Sequence, residues 1–377
     1  MKINFAMWKK ASWQLIKMDS KTEWDGLDVI SKWLIATRSA VTAVTVYSSM
    51  FAAFLAWRAG LLNSVGSWLT WVIVTLGLFI AHGTNNLLND YTDFSRGVDK
   101  DNYFRTQYGV HPLVQGFWTK SQQIQWFLVS GLIAAMSGFY ALWYTQNNPM
   151  VIALFVLGSL VLLFYTWPMK YWSIGELAIF LIWGPIMIGG VYLVLAGQWS
   201  QDVVNAAIAG IPWGLTVASI NIAKHTDKLV PDKAKGVGTF PVRVGETFAR
   251  YTTIFTIVAA YAVVIYLVVI GYMAPVLLLV LFGIKRAIFA ISVINKPRPD
   301  SAPKGFEVFW PTYFSGLCFY HNRMFGGMLV LGFFIDALSK VLFQNTQPQM
   351  VNTISYVVLG IAVGYALYKQ LTEKKAQ

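Results

Sequence analysis

The sequence predicts an all-α integral membrane protein, a bundle of nine transmembrane helices with a candidate tenth. Three observations carry that expectation. The 377-residue chain is 56% hydrophobic and only 12% charged, where soluble domains carry about 25% charged residues. Apolar stretches near the ~20 residues needed to cross the hydrocarbon core recur along its length. These stretches lack the alternation of barrel strands, so they must satisfy their backbone groups internally, as helices.

The spans are expected near 34–58, 67–88, 124–145, 150–168, 174–196, 203–223, 251–270, 274–294 and 311–338, with 350–368 as the tenth. Residues 1–32 form a cytoplasmic or interfacial N-terminal segment, 33–345 the bundle, and 346–377 an additional C-terminal helix and tail. In FAMWKKASWQLIKM, Phe5, Trp8, Ser12 and Ile16 share one helical face, with Lys9, Lys10 and Lys17 largely elsewhere. That is the pattern of a helix lying on the cytoplasmic leaflet; a disordered basic tail is the alternative. The first span starts too late, and is too long, for a cleavable signal peptide.

With the N-terminus inside, all but three of the 29 Lys and Arg fall in cytoplasmic segments; Arg58 and Lys340 lie in external loops and Arg323 within a span. This bias predicts a cytoplasmic N-terminus and a multi-pass protein of the cytoplasmic membrane. The net charge of +12 then reflects topology and contact with membrane lipids, not nucleic acid. Cys318 is the single cysteine, so an internal disulfide and a thiolate metal cluster are excluded.

Two long cytoplasmic loops stand out, about 89–121 and 224–250, separated by four spans. Both open with Asn, as Asn86-x3-Asp90 and Asn221-x3-His225, a spacing consistent with a duplicated four-helix unit whose loops meet over one cavity. NKPRPDSAPKG (295–305) reads as a plain connector.

The first loop holds NNLLNDYTDFSRGVDKD (85–101). Asn86, Asp90 and Asp93 sit at i, i+4 and i+7 on one helix face, and Asp99 and Asp101 follow Gly97. Carboxylates with an Asn carbonyl make an oxygen-only site that suits Mg²⁺, which usually shares its shell with substrate phosphates. The competing reading is an ordinary helix end. The second loop, NIAKHTDKLVPDKAKGVGTFPVRVG (221–245), interleaves Asp227 and Asp232 with Lys224, Lys228, Lys233, Lys235 and Arg243. Acids to hold metal and cations to neutralise phosphate are what a Mg²⁺–diphosphate complex needs; a loop that only anchors topology would explain the lysines but not the two acids. An apolar, aromatic-lined cavity between the helices fits a prenyl chain, and aromatic faces can stabilise an allylic cation.

NNLLNDYTDFSRGVD resembles the first signature of the UbiA superfamily of intramembrane prenyltransferases, in the NDYxDxxxGxD form of its menaquinone-pathway, MenA-like branch. YTWPMKYWSIGELAIFLIWGP (165–185) is similar to that branch's segment between the fourth and fifth helices, and KGVGTFPVRVG to its second-loop ending. The resemblance covers roughly 34–340. It implies a helical bundle around a central cavity and Mg²⁺-dependent transfer of a polyprenyl group from its diphosphate. By position, Asn86, Asp90 and Asp93 would serve the first metal and Asp232 the second acidic motif, with Asn221 opening it; Lys170 would be the diphosphate-binding lysine that follows Tyr165. The family's second motif is commonly N-x3-D-x3-D. Here His225 occupies the first Asp position, where it is expected to donate to phosphate, act on the acceptor or serve structure.

Arg38, Arg105 and His111 are candidate diphosphate or acceptor contacts. Glu176 is expected to orient Lys170 or cap its helix, and His321 and Arg323 to form an interhelical polar network. The expected partners are a polyprenyl diphosphate and an aromatic quinone precursor or other lipophilic acceptor, with Asp93 or Asp99 as the base. Two other classes fit part of the pattern: an ion-coupled carrier, and a relative with altered chemistry, such as a terpene cyclase or a transferase to a non-aromatic acceptor.

Overall fold

The computed structural model describes residues 3–100, 104, 107–343 and 348–375. Among them every regular element is helical. Three short helices, α1 (Phe5–Trp13), α2 (Lys21–Asp25) and α3 (Val29–Ala36), precede α4 (Ser39–Arg58), α5 (Val65–Ser95), α6 (Lys120–Tyr144) and α7 (Pro149–Phe164). Then come α8 (Gly175–Ala196), which contains a π turn, α9 (Gln201–Ala209) and α10 (Ile211–Asp227). The chain continues through α11 (Leu229–Ala234), α12 (Phe240–Val244), α13 (Glu246–Val269), α14 (Ile284–Ile294, after a 3₁₀ stretch), α15 (Tyr313–Phe343) and α16 (Pro348–Lys375).

Among the described residues, eight helical segments are long and apolar enough to cross a membrane, α9 and α10 together forming one of them. The expected span at 150–168 is shorter: α7 has 16 residues, about 24 Å at ~1.5 Å per residue. The expected tenth coincides with the apolar part of α16, Gln349–Tyr365. Exposed Leu128, Leu132, Phe139 and Trp143 along α6 form an outward apolar face suited to lipid.

The first expected span is not one helix. Arg38 adopts a left-handed conformation (φ 56, ψ 50) between α3 and α4, an arrangement that an L-residue holds only when its surroundings enforce it. The break frees the Thr37 carbonyl, which accepts from Asn86 Nδ2 at 2.8 Å. At 31 residues, about 46 Å long, α5 outruns the ~30 Å hydrocarbon core. Its last turns therefore carry Asn86, Asp90 and Asp93 past the apolar region still in helical register.

In the core, Trp213 is fully buried beside Phe51 and donates from Nε1 to Ser48 Oγ at 2.9 Å. Gly326 makes room for it, since a Cβ there would come within 2.5 Å of the indole. The π turn in α8, Ile182–Ile186, includes Pro185 and a non-helical Gly184. Proline removes a backbone donor, and such bulges tend to mark functional positions.

The N-terminal segment differs from the single amphipathic helix expected. It leaves helical geometry after Trp13, and Ile16 is buried against the protein while Phe5 stays exposed. The extended stretch crosses the first loop: Val110 N donates to Ile16 O at 3.1 Å and Gln115 Nε2 to Met18 O at 2.6 Å.

Candidate active site

Three carboxylates from the end of α5 and the turn after it are buried, each beside a basic group. Asp90 accepts from Arg38 Nη1 at 2.9 Å. Both oxygens of Asp93 lie 2.8 Å from Lys170 Nζ. Asp99, reached through Gly97 at φ 73, lies 3.0 Å from His111 Nε2. Asp90, Asp99 and His111 bring one ligand atom each within 4.8 Å of one another. Asp101 and Arg105 lie outside the described residues.

Asn86 anchors α5 to the α3–α4 break through its amide, as described above. Asn89, one turn before Asp93, is a site residue that sequence reasoning passed over; its Oδ1 accepts from Thr166 Oγ1 at 3.3 Å. The i, i+4 spacing of Asn89 and Asp93, identical to that of Asn86 and Asp90, was the available signal.

The end of α10 approaches from the other side. Asn221 Nδ2 lies 3.4 Å from Tyr165 Oη. His225 Nδ1 lies 2.6 Å from Glu176 Oε1, which also accepts from Phe240 N at 3.2 Å. Glu176, expected to orient Lys170 or cap its helix, lies in that helix's first turn and orients His225 rather than Lys170. Asp232 pairs with Lys228 at 3.4 Å. Lys224 stands within electrostatic reach of Lys228, Lys170, Arg38 and Asp232. Lys235 ties the loops together, its ammonium donating to Val98 O at 2.7 Å and also to Lys100 O.

Lys170 sits where the two acidic motifs converge. Burial disfavours its charge, but the adjoining Asp93 carboxylate, with Asp232 further off, outweighs that and holds its pKa above the ordinary lysine value.

Three expected site residues point elsewhere. Asp227 caps α15: its oxygens accept from Phe314 N at 3.0 Å, Ser315 N at 3.0 Å, Ser315 Oγ at 2.8 Å and Arg298 Nε at 3.3 Å. With its acceptor sites occupied in this way, it does not join the acidic cluster. Lys233 is exposed, with no ion-pair partner among the described residues. Arg243 is also exposed, and its nearest bond is to Tyr171 O at 3.5 Å. The polar groups expected at His321 and Arg323 separate: His321 Nε2 meets Tyr261 Oη at 2.9 Å, while Arg323 donates to Trp13 O at 3.3 Å.

A cavity of about 420 Å³, open on one side, lies between α5, α6, α7 and α8. Its wall is mostly apolar, with Leu78, Phe155, Ile179 and Met187 among its residues and His82, Tyr165 and Trp183 as polar or aromatic members. An apolar cavity among the helices, whose lining runs up to Asn85 and Tyr165 beside the buried acids and cations, defines a class: an enzyme that holds an anionic head at the membrane edge and its hydrocarbon tail among the helices.

The chain belongs to the UbiA prenyltransferase family, whose model matches residues 42–314. Its relatives include the UbiA prenyltransferase domain-containing protein 1 homolog of Drosophila melanogaster, 23% identical over 74% of this chain and 72% of that one. The 1,4-dihydroxy-2-naphthoate octaprenyltransferase of Bacillus subtilis is 26% identical over 59% of this chain and 66% of its own length. Among solved structures, a digeranylgeranylglyceryl phosphate synthase superposes with a TM-score of 0.52 at 16% identity, covering 81% of this chain and 97% of that one; the likeness is one of fold.

Proposed function

We propose that this prenyltransferase moves a polyprenyl group, with Mg²⁺, from an allylic polyprenyl diphosphate to an aromatic quinone precursor, and that its charged end faces the cytoplasm. The observation that carries the reading is the interleaving of Asp90, Asp93, Asp99 and Asp232 with Arg38, Lys170 and Lys228, close to an apolar cavity whose lining includes His82, Asn85 and Tyr165. The acceptor class rests on the likeness to the Bacillus naphthoate enzyme, and the orientation on the basic-residue bias.

The donor set fits Mg²⁺. The buried carboxylates of Asp90, Asp99, Asp93 and Asp232 are hard oxygen donors, and His111, which bonds Asp99, would act as an orienting partner rather than a ligand. Bound there, Mg²⁺ supplies Lewis-acid stabilisation of a leaving diphosphate. Arg38, Lys170, Lys224 and Lys228 neutralise the charge that develops on the diphosphate as its bond to the allylic carbon breaks. The cavity shields that carbon from water, and the Trp183 and Tyr165 rings offer aromatic faces to the cation. The acceptor attacks the allylic carbon, and Asp93 or Asp99 accepts the proton it sheds.

The test is incubation of purified protein with geranylgeranyl diphosphate and Mg²⁺, with and without 1,4-dihydroxy-2-naphthoate, read by mass spectrometry. A prenylated naphthoate, absent with Asp90→Asn, is the expected result. A cyclised hydrocarbon formed without acceptor would replace the reading with terpene cyclisation.

A further inference from the structure

We propose that His82 binds the acceptor, donating a hydrogen bond from Nε2 to an anionic oxygen, carboxylate or phenolate, on its aromatic head. This rests on the aromatic-acceptor reading above. His82 lies on α5 four residues before Asn86, about 6 Å further into the membrane, and lines the cavity.

Its ring is fixed on one side only. Nδ1 lies 2.8 Å from Thr45 Oγ1, and Thr45 Oγ1 in turn accepts from Trp183 Nε1 at 2.9 Å. The hydroxyl hydrogen of Thr45 has no acceptor among the described residues other than Nδ1, so Thr45 donates to Nδ1 and Nε2 carries the imidazole hydrogen. The Trp183 ring meets His82 edge-on, centroids 4.9 Å apart, and locks its plane. Nε2 makes no hydrogen bond among the described residues, and it is not one of the sealed, unpartnered buried atoms. It therefore opens on the cavity.

An unpartnered nitrogen alone does not mark a binding group, since His111 Nδ1 and His321 Nδ1 are also unpartnered, but those two are sealed from solvent, whereas His82 lines the cavity. The charges acting on His82 are Arg38 and Lys224, both positive, which favours an anionic over a neutral oxygen beside it. An acceptor held there would sit one helical turn inside the diphosphate cluster, next to the start of the prenyl chain. Trp183 belongs to the π turn of α8, so the irregular backbone supplies the group that holds Thr45 and the His82 ring in place.

The experiment compares full-length wild type with His82→Phe, which keeps an aromatic ring against Trp183 but has no donor, with His82→Gln, which restores one, and with Thr45→Val. Steady-state KM and kcat are measured separately for 1,4-dihydroxy-2-naphthoate and geranylgeranyl diphosphate. Loss of a hydrogen bond to a charged group should raise the naphthoate KM of His82→Phe by about tenfold or more. The diphosphate KM should stay within about twofold of wild type, with partial recovery in His82→Gln and a smaller rise in Thr45→Val. Wild-type turnover with an unchanged naphthoate KM in His82→Phe overturns the inference and leaves the acceptor reading standing. A parallel rise in both KM values in His82→Phe and His82→Gln also overturns it, as a packing effect. If His82→Phe does not fold, His82→Leu, which also lacks a donor, decides by the same criterion. Wild type that never prenylates the naphthoate removes the acceptor reading itself, and this inference with it.

Discussion

Lys170 and Asp93, 77 positions apart, meet with the ammonium 2.8 Å from each carboxylate oxygen, and both are buried. Lys170→Met leaves the Asp93 charge without this partner. Breaking a buried pair costs about 3–5 kcal/mol, so the variant should lose much of its thermal stability in detergent as well as its turnover. Adding Asp93→Asn should recover most of the melting temperature but none of the activity. A double variant as unstable as the single one would show that the pair does not hold the loops together.

The Glu176–His225 contact, 2.6 Å long, sets the orientation of the imidazole that stands where an acid is usual. Glu176→Gln should keep the fold and cut kcat by about tenfold, the scale of one charge-assisted hydrogen bond. His225→Asp should retain part of the wild-type activity if that position serves metal. A well-folded but inactive His225→Asp would assign the imidazole a role of its own.

Asp227 and Asp232 should separate stability from catalysis. Asp227→Ala removes the cap of α15 and the Arg298 contact, a loss of about 3 kcal/mol, and should lower the melting temperature while folded molecules keep their kcat. Asp232→Ala should do the reverse. The check is calorimetry beside an assay normalised to folded protein, and the assignment fails if the two variants behave alike.

Asp28 offers a test in pH. It is buried, which by itself would raise its pKa, but hydrogen bonds from the Ser31 hydroxyl and N–H and from Trp8 bring it down to about 2 from 3.8. A depressed folded-state value stabilises above the unfolded value and fades as pH falls through the folded one. The stability advantage of wild type over Asp28→Ala should therefore be constant from pH 7 to about 5 and shrink between about 4 and 2. A difference that grows on acidification would contradict the cap.

Much of the fold was legible in the residues. Hydropathy is a local property, and a chain poor in charge makes each acid conspicuous, so the spans and the cluster at Asp90, Asp93 and Asp99 could be read directly. Asp227 and Asp232 could not be sorted that way, being the same residue type in one loop. They end on different helices, α10 and α11, and only the packing of α15 against α10 turns the first into a cap. Likewise, Arg38 was a candidate phosphate contact from its place at a span's entrance, but its carboxylate partner, Asp90, lies 52 positions away and no local pattern pairs the two. His82 carried no sequence signal, because Thr45 and Trp183, which fix its ring, lie 37 and 101 positions from it.

The sequence by itself determined that this chain lives in a bilayer and collects acid at two helix ends, since both follow from composition and short-range spacing. Which cation meets which carboxylate, and which nitrogen of His82 faces the cavity, only the tertiary structure decided: these depend on contacts between segments far apart in the chain, whose geometry no local period encodes.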